Sequence, residues 1–250
     1  MSKKIYIDPG HGGVQPGAVK GSRKEKDDVL RLALKIKELL TGQDCELRLS
    51  RETDIDVDIN DRCKDANNWE ADYFLSIHRN SAGSTATGNE IWIYSKATDI
   101  TEAKARNLLN AVTKATGLKD RGVHKGAVSY SDYGVNKYTN MHSALIELGF
   151  ISNDSDNKVY DATLDKTALE LSKTLLSLVG AQWKDEAVKG DVNGDGKVTA
   201  ADARETLRAS AKLQDLTEEQ KKAADMNGDG KITAADSREI LTEAANIKHG

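Results

Sequence analysis

Four side chains and one duplicated loop carry the chemical potential of this chain. His11 stands in "IDPGHGG", among three glycines, in a loop that also holds Pro9 and Pro16, the only two prolines. Proline fixes φ and glycine permits backbone shapes closed to other residues, so the loop holds one imidazole in a defined conformation. A surface histidine in a turn is the competing reading of that residue alone. His78 ends the strand-like run "YFLSIH", and two neutral imidazoles at neighbouring strand ends suit a shared metal ion. Glu25 opens a helical pattern whose apolar residues are Val29, Leu32, Ala33, Ile36, Leu39 and Leu40. On a helical wheel their centre falls beneath Glu25, whereas Asp27 points away and Asp28 sits at the edge. An acid so placed serves either the helix dipole or a metal facing the two histidines. Glu147, in "HSALIELGFISN", lies within an otherwise apolar strand, where an unpaired carboxylate is costly or takes up a proton. Alternation puts Ser143, Leu145, Glu147 and Gly149 on one face and His142, Ala144 and Ile146 on the other. His142 is therefore read as structural or surface, and neither His124 nor His249 has a comparable context.

The duplicated loop is acidic. "DVNGDGKVTAADARETLRASAKL" starts at Asp191 and "DMNGDGKITAADSREILTEAANI" at Asp225, 34 residues later, with 14 of 23 positions identical. Oxygen ligands fall at loop positions 1, 3, 5 and 12, with glycine at 6 and a backbone carbonyl at 7, which is EF-hand calcium spacing. The first set is Asp191, Asn193, Asp195, Lys197 (through its carbonyl) and Asp202, around Gly196. The second is Asp225, Asn227, Asp229, Lys231 (likewise) and Asp236, around Gly230. Two structural Ca²⁺ ions are expected. Between the copies, Thr217 and Gln220 have capping-box spacing for a helix.

An α/β scaffold is the arrangement that would hold the first four groups. Strands are expected at Lys4–Asp8, Cys45–Ser50, Ala71–His78, Glu90–Tyr94 and Ser143–Phe150. Helices are expected at Glu25–Leu40, Ile59–Asn68, Thr101–Thr116 and Thr163–Gln182. The alternation predicts a mostly parallel sheet flanked by helices over residues 1–182. In such sheets ligands gather at the carboxyl ends of strands. Residues 183–190 read as a linker, and 191–250 as a small all-α calcium-binding module.

Composition narrows the partners. Of 250 residues 30% are charged, and the net charge is −4. Residues 185–250 hold 14 acids against 10 bases and so carry the whole excess. That balance is too mild for a nucleic-acid partner. No apolar run nears the ~18 residues of a membrane span. Cys45 and Cys63 form no C-x-x-C pair and are expected to be free structural thiols. No apolar leader region follows Met1.

The motifs "IDPGHGG", "GSRKEKD", "R…AN…ADYFLSIHRN" and "ALIELGFISN" occur in the order seen in the amidase-3 family, the zinc-dependent N-acetylmuramoyl-L-alanine amidases, which residues 3–180 resemble. The resemblance implies the amidase-3 fold, one catalytic zinc held by His11, Glu25 and His78, and a catalytic glutamate at Glu147. Arg62 and Asn67 match the "R…AN" element and are expected to be structural. Arg79 departs from the family's usual small residue. As a cation beside a ligand it is expected, with Asn80, to contact the substrate's stem peptide. The implied reaction is hydrolysis of the bond joining N-acetylmuramic acid to L-alanine in peptidoglycan, as by an endolysin or autolysin. The rival is a non-catalytic wall-binding protein tethered through the calcium module, against which the intact set of four residues argues. Action on the bacterial cell wall, without a leader here, implies release on lysis or a leader already removed. The tail resembles a type I dockerin, with Asp at position 12. That implies a cohesin-type partner, with self-association of a calcium-stapled module as the alternative. Ala200-Ala201 and Ala234-Ala235, at the partner-reading positions, say little about specificity.

Overall fold

The "IYI" run behind Lys4 builds the first strand, β1 (Lys3–Pro9), whose last five residues are all buried, as a central strand of a parallel sheet requires. The computed structural model describes residues 2–129, 131–184 and 188–246. After the His11 loop come a short hairpin, β2 (Val19–Lys20) and β3 (Arg23–Lys24), and then α1 (Glu25–Leu40). The chain continues through β4 (Cys45–Leu49), α2 (Ile59–Asn68), β5 (Tyr73–Asn80) and β6 (Asn89–Ile93). It then forms α3 (Asp99–Thr116), β7 (Asp120–Lys125), α4 (Gly134–Lys137), β8 (His142–Phe150) and α5 (Asp154–Val179).

The six-stranded sheet has the order β4-β1-β5-β8-β6-β7, and only the β6–β8 pairing is antiparallel. It is the mixed, mostly parallel sheet that the alternation predicts. Each strand sends alternate residues to opposite faces. Ile5, Ile7, Leu75, Ile77 and Ile146 meet α1, α3 and α5 on one side. Tyr6, Phe74 and Leu145 meet α2 and α4 on the other. Because β1, β5 and β8 are parallel neighbours, their carboxyl ends lie together.

Three differences from the sequence reading have physical causes. The last helix of the sheet unit starts at Asp154, nine residues before Thr163. Its first turns turn an acid inward: buried Asp156 accepts bonds from the Phe150 amide (2.8 Å) and the Thr87 hydroxyl (2.6 Å), which hides the helix from a hydrophobic wheel. β5 runs two residues beyond His78. β7, the hairpin and α4 were not anticipated; β7 is a polar edge strand with no alternation to find. Cys45 and Cys63 are free thiols, and burial pushes that of Cys63 up to about 12.

The chain divides into two compact units, Met1–Trp183 and Lys184–Gly250. Residues 185–187 of the expected linker (183–190) lie outside the described set, as does His249. In the second unit, α6 (Ala200–Ser210), α7 (Glu218–Ala224) and α8 (Ala234–Asn246) surround Val192, Leu216 and Ile240. Both arms of the Thr217–Gln220 capping box form. Among the described residues, no helix is long and apolar enough to cross a membrane.

Candidate metal centre and catalytic site

His11 leaves the end of β1 with φ 59°, a left-handed conformation uncommon outside glycine. Two glycines make room for what it faces. A Cβ on Gly10 would lie 2.3 Å from the His78 ring, and one on Gly17 (φ 68°) would lie 2.5 Å from Glu25 Oε2. The loop is anchored from below by Arg62. Its Nη2 donates to the His11 carbonyl (2.7 Å), and its Nη1 donates to the Pro9 carbonyl (2.9 Å) and to buried Asp8 (2.5 Å). Asn67 bridges to Tyr138 and Asn140. Both residues of the "R…AN" element thus hold backbone in place.

Glu25 is the first residue of α1 and is 3% exposed. Its Oε2 lies 3.2 Å from His11 Nε2, and its Oε1 lies 2.8 Å from His78 Nδ1. The Ala18 and Arg79 amides donate to the same two oxygens. Burial opposes ionisation of Glu25, but the contacts with His11 and His78 outweigh it and hold the carboxyl well below its ordinary range. The two imidazoles meet edge to face, with centroids 4.9 Å apart. One ligand atom from each of His11, Glu25 and His78 fits within a 4.8 Å span, the only such His, Cys, Asp or Glu group among the described residues. A donor set of two imidazole nitrogens and one carboxylate oxygen suits zinc and leaves a fourth position open.

Glu147 faces the same cavity, which encloses about 600 Å³ and is also lined by Tyr133 and Val135. In the sheet it pairs with His78 on one side and Glu90 on the other. Its Oε2 is buried with no hydrogen-bond partner among the described residues. Burial, then the charges of Glu25 and Glu90, push its pKa well above the usual carboxylate range, with Arg79 opposing. Glu147 is thus a buried carboxyl group of raised pKa in the cavity that His11, Glu25 and His78 also line.

Arg79 requires a correction. Arg79 lines the cavity, but its side chain is fully buried and turned to the opposite face of β5 from His78, so it offers no exposed side-chain atom to a peptide there. There Nη1 donates to Asp28 (2.6 Å), Nη2 to Asn157 (2.8 Å), and the guanidinium lies 4.2 Å from the Tyr160 ring centre. Asn80 reaches the cavity wall, but its amide donates to Glu90 (2.8 Å) and its carbonyl accepts from Ser81. Glu90 itself escaped the sequence reading, although it shows the signal that exposed Glu147: a carboxylate within an apolar strand, here "NEIWI". His142 bonds to Thr101 (2.7 Å) and His124 stacks on Trp92, both away from the metal-type cluster.

In each acidic loop the first aspartate collects backbone amides. Asp191 accepts from Gly194, Asp195 and Gly196, and Asp225 accepts from Gly228, Asp229 and Gly230. Asn193 and Asn227 each accept from the amide two residues on. Asp202 and Asp236 are fully buried and bond to the amide and hydroxyl of Thr199 and Thr233. They cap α6 and α8, a role that the sequence reading did not assign. The all-oxygen donor set remains of the hard type that calcium takes.

Residues 5–172 match the family described as N-acetylmuramoyl-L-alanine amidase (amidase-3), and residues 189–241 match the dockerin type I domain. The chain is 40% identical over 155 residues to a sporulation-specific N-acetylmuramoyl-L-alanine amidase of Bacillus subtilis, covering 61% of this chain and 58% of that protein. It is 36% identical over 162 residues to an endolysin of Bacillus phage SPP1, covering 62% and 58%. The chain thus spans about 58% of the length of these curated relatives. Among solved structures, an N-acetylmuramoyl-L-alanine amidase from Clostridium difficile 630 superposes with TM-score 0.65 at 32% identity, covering 70% of this chain and 96% of that one. With more than half its length matched, over the unit that holds His11, Glu25, His78 and Glu147, the chain belongs to the amidase-3 family of N-acetylmuramoyl-L-alanine amidases.

Proposed function

We propose that this chain hydrolyses the amide bond between N-acetylmuramic acid and L-alanine in peptidoglycan, with one zinc ion held by His11, Glu25 and His78. The observation that carries the reading is the convergence of those three side chains with Glu147, whose Oε2 is buried and unpartnered among the described residues, in one cavity. When bound, zinc supplies Lewis acidity, lowering the pKa of water towards ~7 and polarising the scissile carbonyl. Glu25, kept ionised by its two histidine neighbours, offers the charge that such an ion needs. Glu147 takes the proton from the attacking water and delivers it to the departing L-alanine nitrogen, acting first as base and then as acid. Its burial, with Oε2 free of protein hydrogen bonds among the described residues, leaves that oxygen available to the water and then to the leaving nitrogen. Arg62 and the glycine loop keep His11 aimed while leaving open the space that glycan and peptide must fill.

The second unit is proposed to bind two Ca²⁺ ions through the Asp191 and Asp225 loops and to dock onto a cohesin-type domain. The dockerin match over 189–241 and the oxygen-lined loops support this. The test for the catalytic reading is digestion of purified cell walls. Free L-alanine amino groups should appear without new reducing sugars, the reaction should stop with a zinc chelator, and added zinc should restore it. New reducing ends would point to a glycosidase, and new amino groups on other residues to an endopeptidase.

A further inference from the structure

Arg51 follows β4 in "SRETD" and is 2% exposed, yet no carboxylate hydrogen-bonds to it among the described residues, and Asp8, Asp54 and Asp27 act on it only at longer range. All its hydrogen bonds go to backbone carbonyls. Nε donates to Pro9 (3.0 Å), Nη1 to Thr53 (3.1 Å), and Nη2 to both Gly10 (2.9 Å) and Lys26 (2.8 Å). A buried cation bonded to no carboxylate is costly to place, so its position calls for a purpose.

The identity of the carbonyls supplies one. Pro9 and Gly10 lead directly into His11, whose left-handed φ needs surroundings that over-determine it. Lys26 is in the first turn of α1, immediately after Glu25. The loop also lies flat on Arg51: a Cβ on Gly12 would come within 3.0 Å of its Cδ and Nε. One planar guanidinium therefore bonds at once to the segment that carries His11 and to the turn that carries Glu25. Arg62 complements it by holding the His11 carbonyl, but reaches no part of α1.

We propose that Arg51 is a positioning residue for the metal centre, tying the His11 loop to the first turn of the Glu25 helix and so fixing these two ligands relative to each other. The inference rests on the zinc reading given above. Lysine would keep the charge but not the function, because a point ammonium cannot match a rigid fork that serves separate segments.

The test compares the full-length wild type with Arg51→Lys and Leu164→Ala. The last is a control that opens a gap in the α5 core contact, on the other face of the sheet from the cavity. Zinc affinity is read by competition with a chromophoric chelator in excess calcium, and the Co²⁺ form is read by its d–d absorption. Wild type should take up one tight zinc. Arg51→Lys should fold by circular dichroism, bind zinc about 10–100-fold more weakly and show an altered Co²⁺ spectrum. Leu164→Ala should lose stability and keep wild-type affinity. An Arg51→Lys protein with wild-type affinity and spectrum would overturn the proposal, as would equal weakening in Leu164→Ala. Should Arg51→Lys not fold, the wild type decides: by linkage, zinc must slow hydrogen exchange at Arg51 Nε–H, and unchanged exchange refutes the role. A wild type that takes up no zinc would overturn the metal reading itself, and this is seen before any variant is made.

Discussion

Glu90 and Glu147 stand directly opposite each other on β6 and β8, and the two carboxylates are treated in opposite ways. Glu90 accepts from Asn80 (2.8 Å), Trp92 (3.2 Å) and Arg121 (2.6 Å). Glu147 Oε2 is buried and unpartnered among the described residues, and burial followed by the charges of Glu25 and Glu90 raises the Glu147 pKa. Replacing Glu90 by Gln removes a negative neighbour and should lower the Glu147 pKa. Because Glu147 must be ionised to accept the first proton, the acid limb of the kcat/KM profile should move to lower pH. A limb that stays put or moves up would show that Glu90 does not tune this group.

Binding and chemistry should separate cleanly at the site. Glu147→Gln keeps the shape but cannot hold and release the proton. Zinc should stay near one equivalent while turnover falls by roughly 10²-fold or more. His11→Ala should instead lose metal and activity together. Zinc loss in Glu147→Gln would make that residue a ligand and end its assignment as proton carrier.

Arg79 shows how far the sequence could be read and where the reading went astray. The alternation rule put Glu147 on its correct face, and the same rule applied to β5 sends His78 and Arg79 to opposite faces. Adjacency in the chain suggested a shared site, whereas the pleat makes neighbours in a strand face apart. The strands with apolar runs and the α1 wheel were legible because burial dictates their pattern. Glu25 was found through its place on that wheel, and Arg51 was missed because bonds to backbone carbonyls leave no pattern in side-chain spacing. Asp156 and the start of α5 were hidden for a similar reason, a polar residue that is buried because the Phe150 and Gly88 amides donate to it.

Arg79→Ala is accordingly expected to act on stability. It leaves Asp28 and Asn157 buried without one partner each and removes a cation from the Tyr160 face, a loss of about 3 kcal/mol by comparison with other broken buried pairs. Urea unfolding should show this loss, while KM for a soluble muropeptide stays near wild type. A raised KM at unchanged stability would restore the reading of Arg79 as a peptide contact.

Calcium should control the second unit and leave the first alone. The net charge of residues 185–250 is −4, which two Ca²⁺ ions would neutralise. Each loop packs three aspartates into twelve residues, and like charges so close repel when no cation joins them. The apolar core is thin: of its six buried side chains among the described residues, three are alanines. A unit of this size with so small a core depends on added staples, so its metal-binding energy is folding energy. In EGTA, with zinc resupplied, the full chain should lose helical circular dichroism and show a separate low-temperature transition. Two equivalents of Ca²⁺ should reverse both changes. Asp191→Ala with Asp225→Ala should abolish the calcium response, because each aspartate also organises three loop amides. Hydrolysis of soluble muropeptides should remain near wild type throughout, since the four proposed catalytic groups all lie in Met1–Trp183. A second unit that keeps its helices in EGTA would show that calcium is incidental to its fold and would reject the ligand assignment.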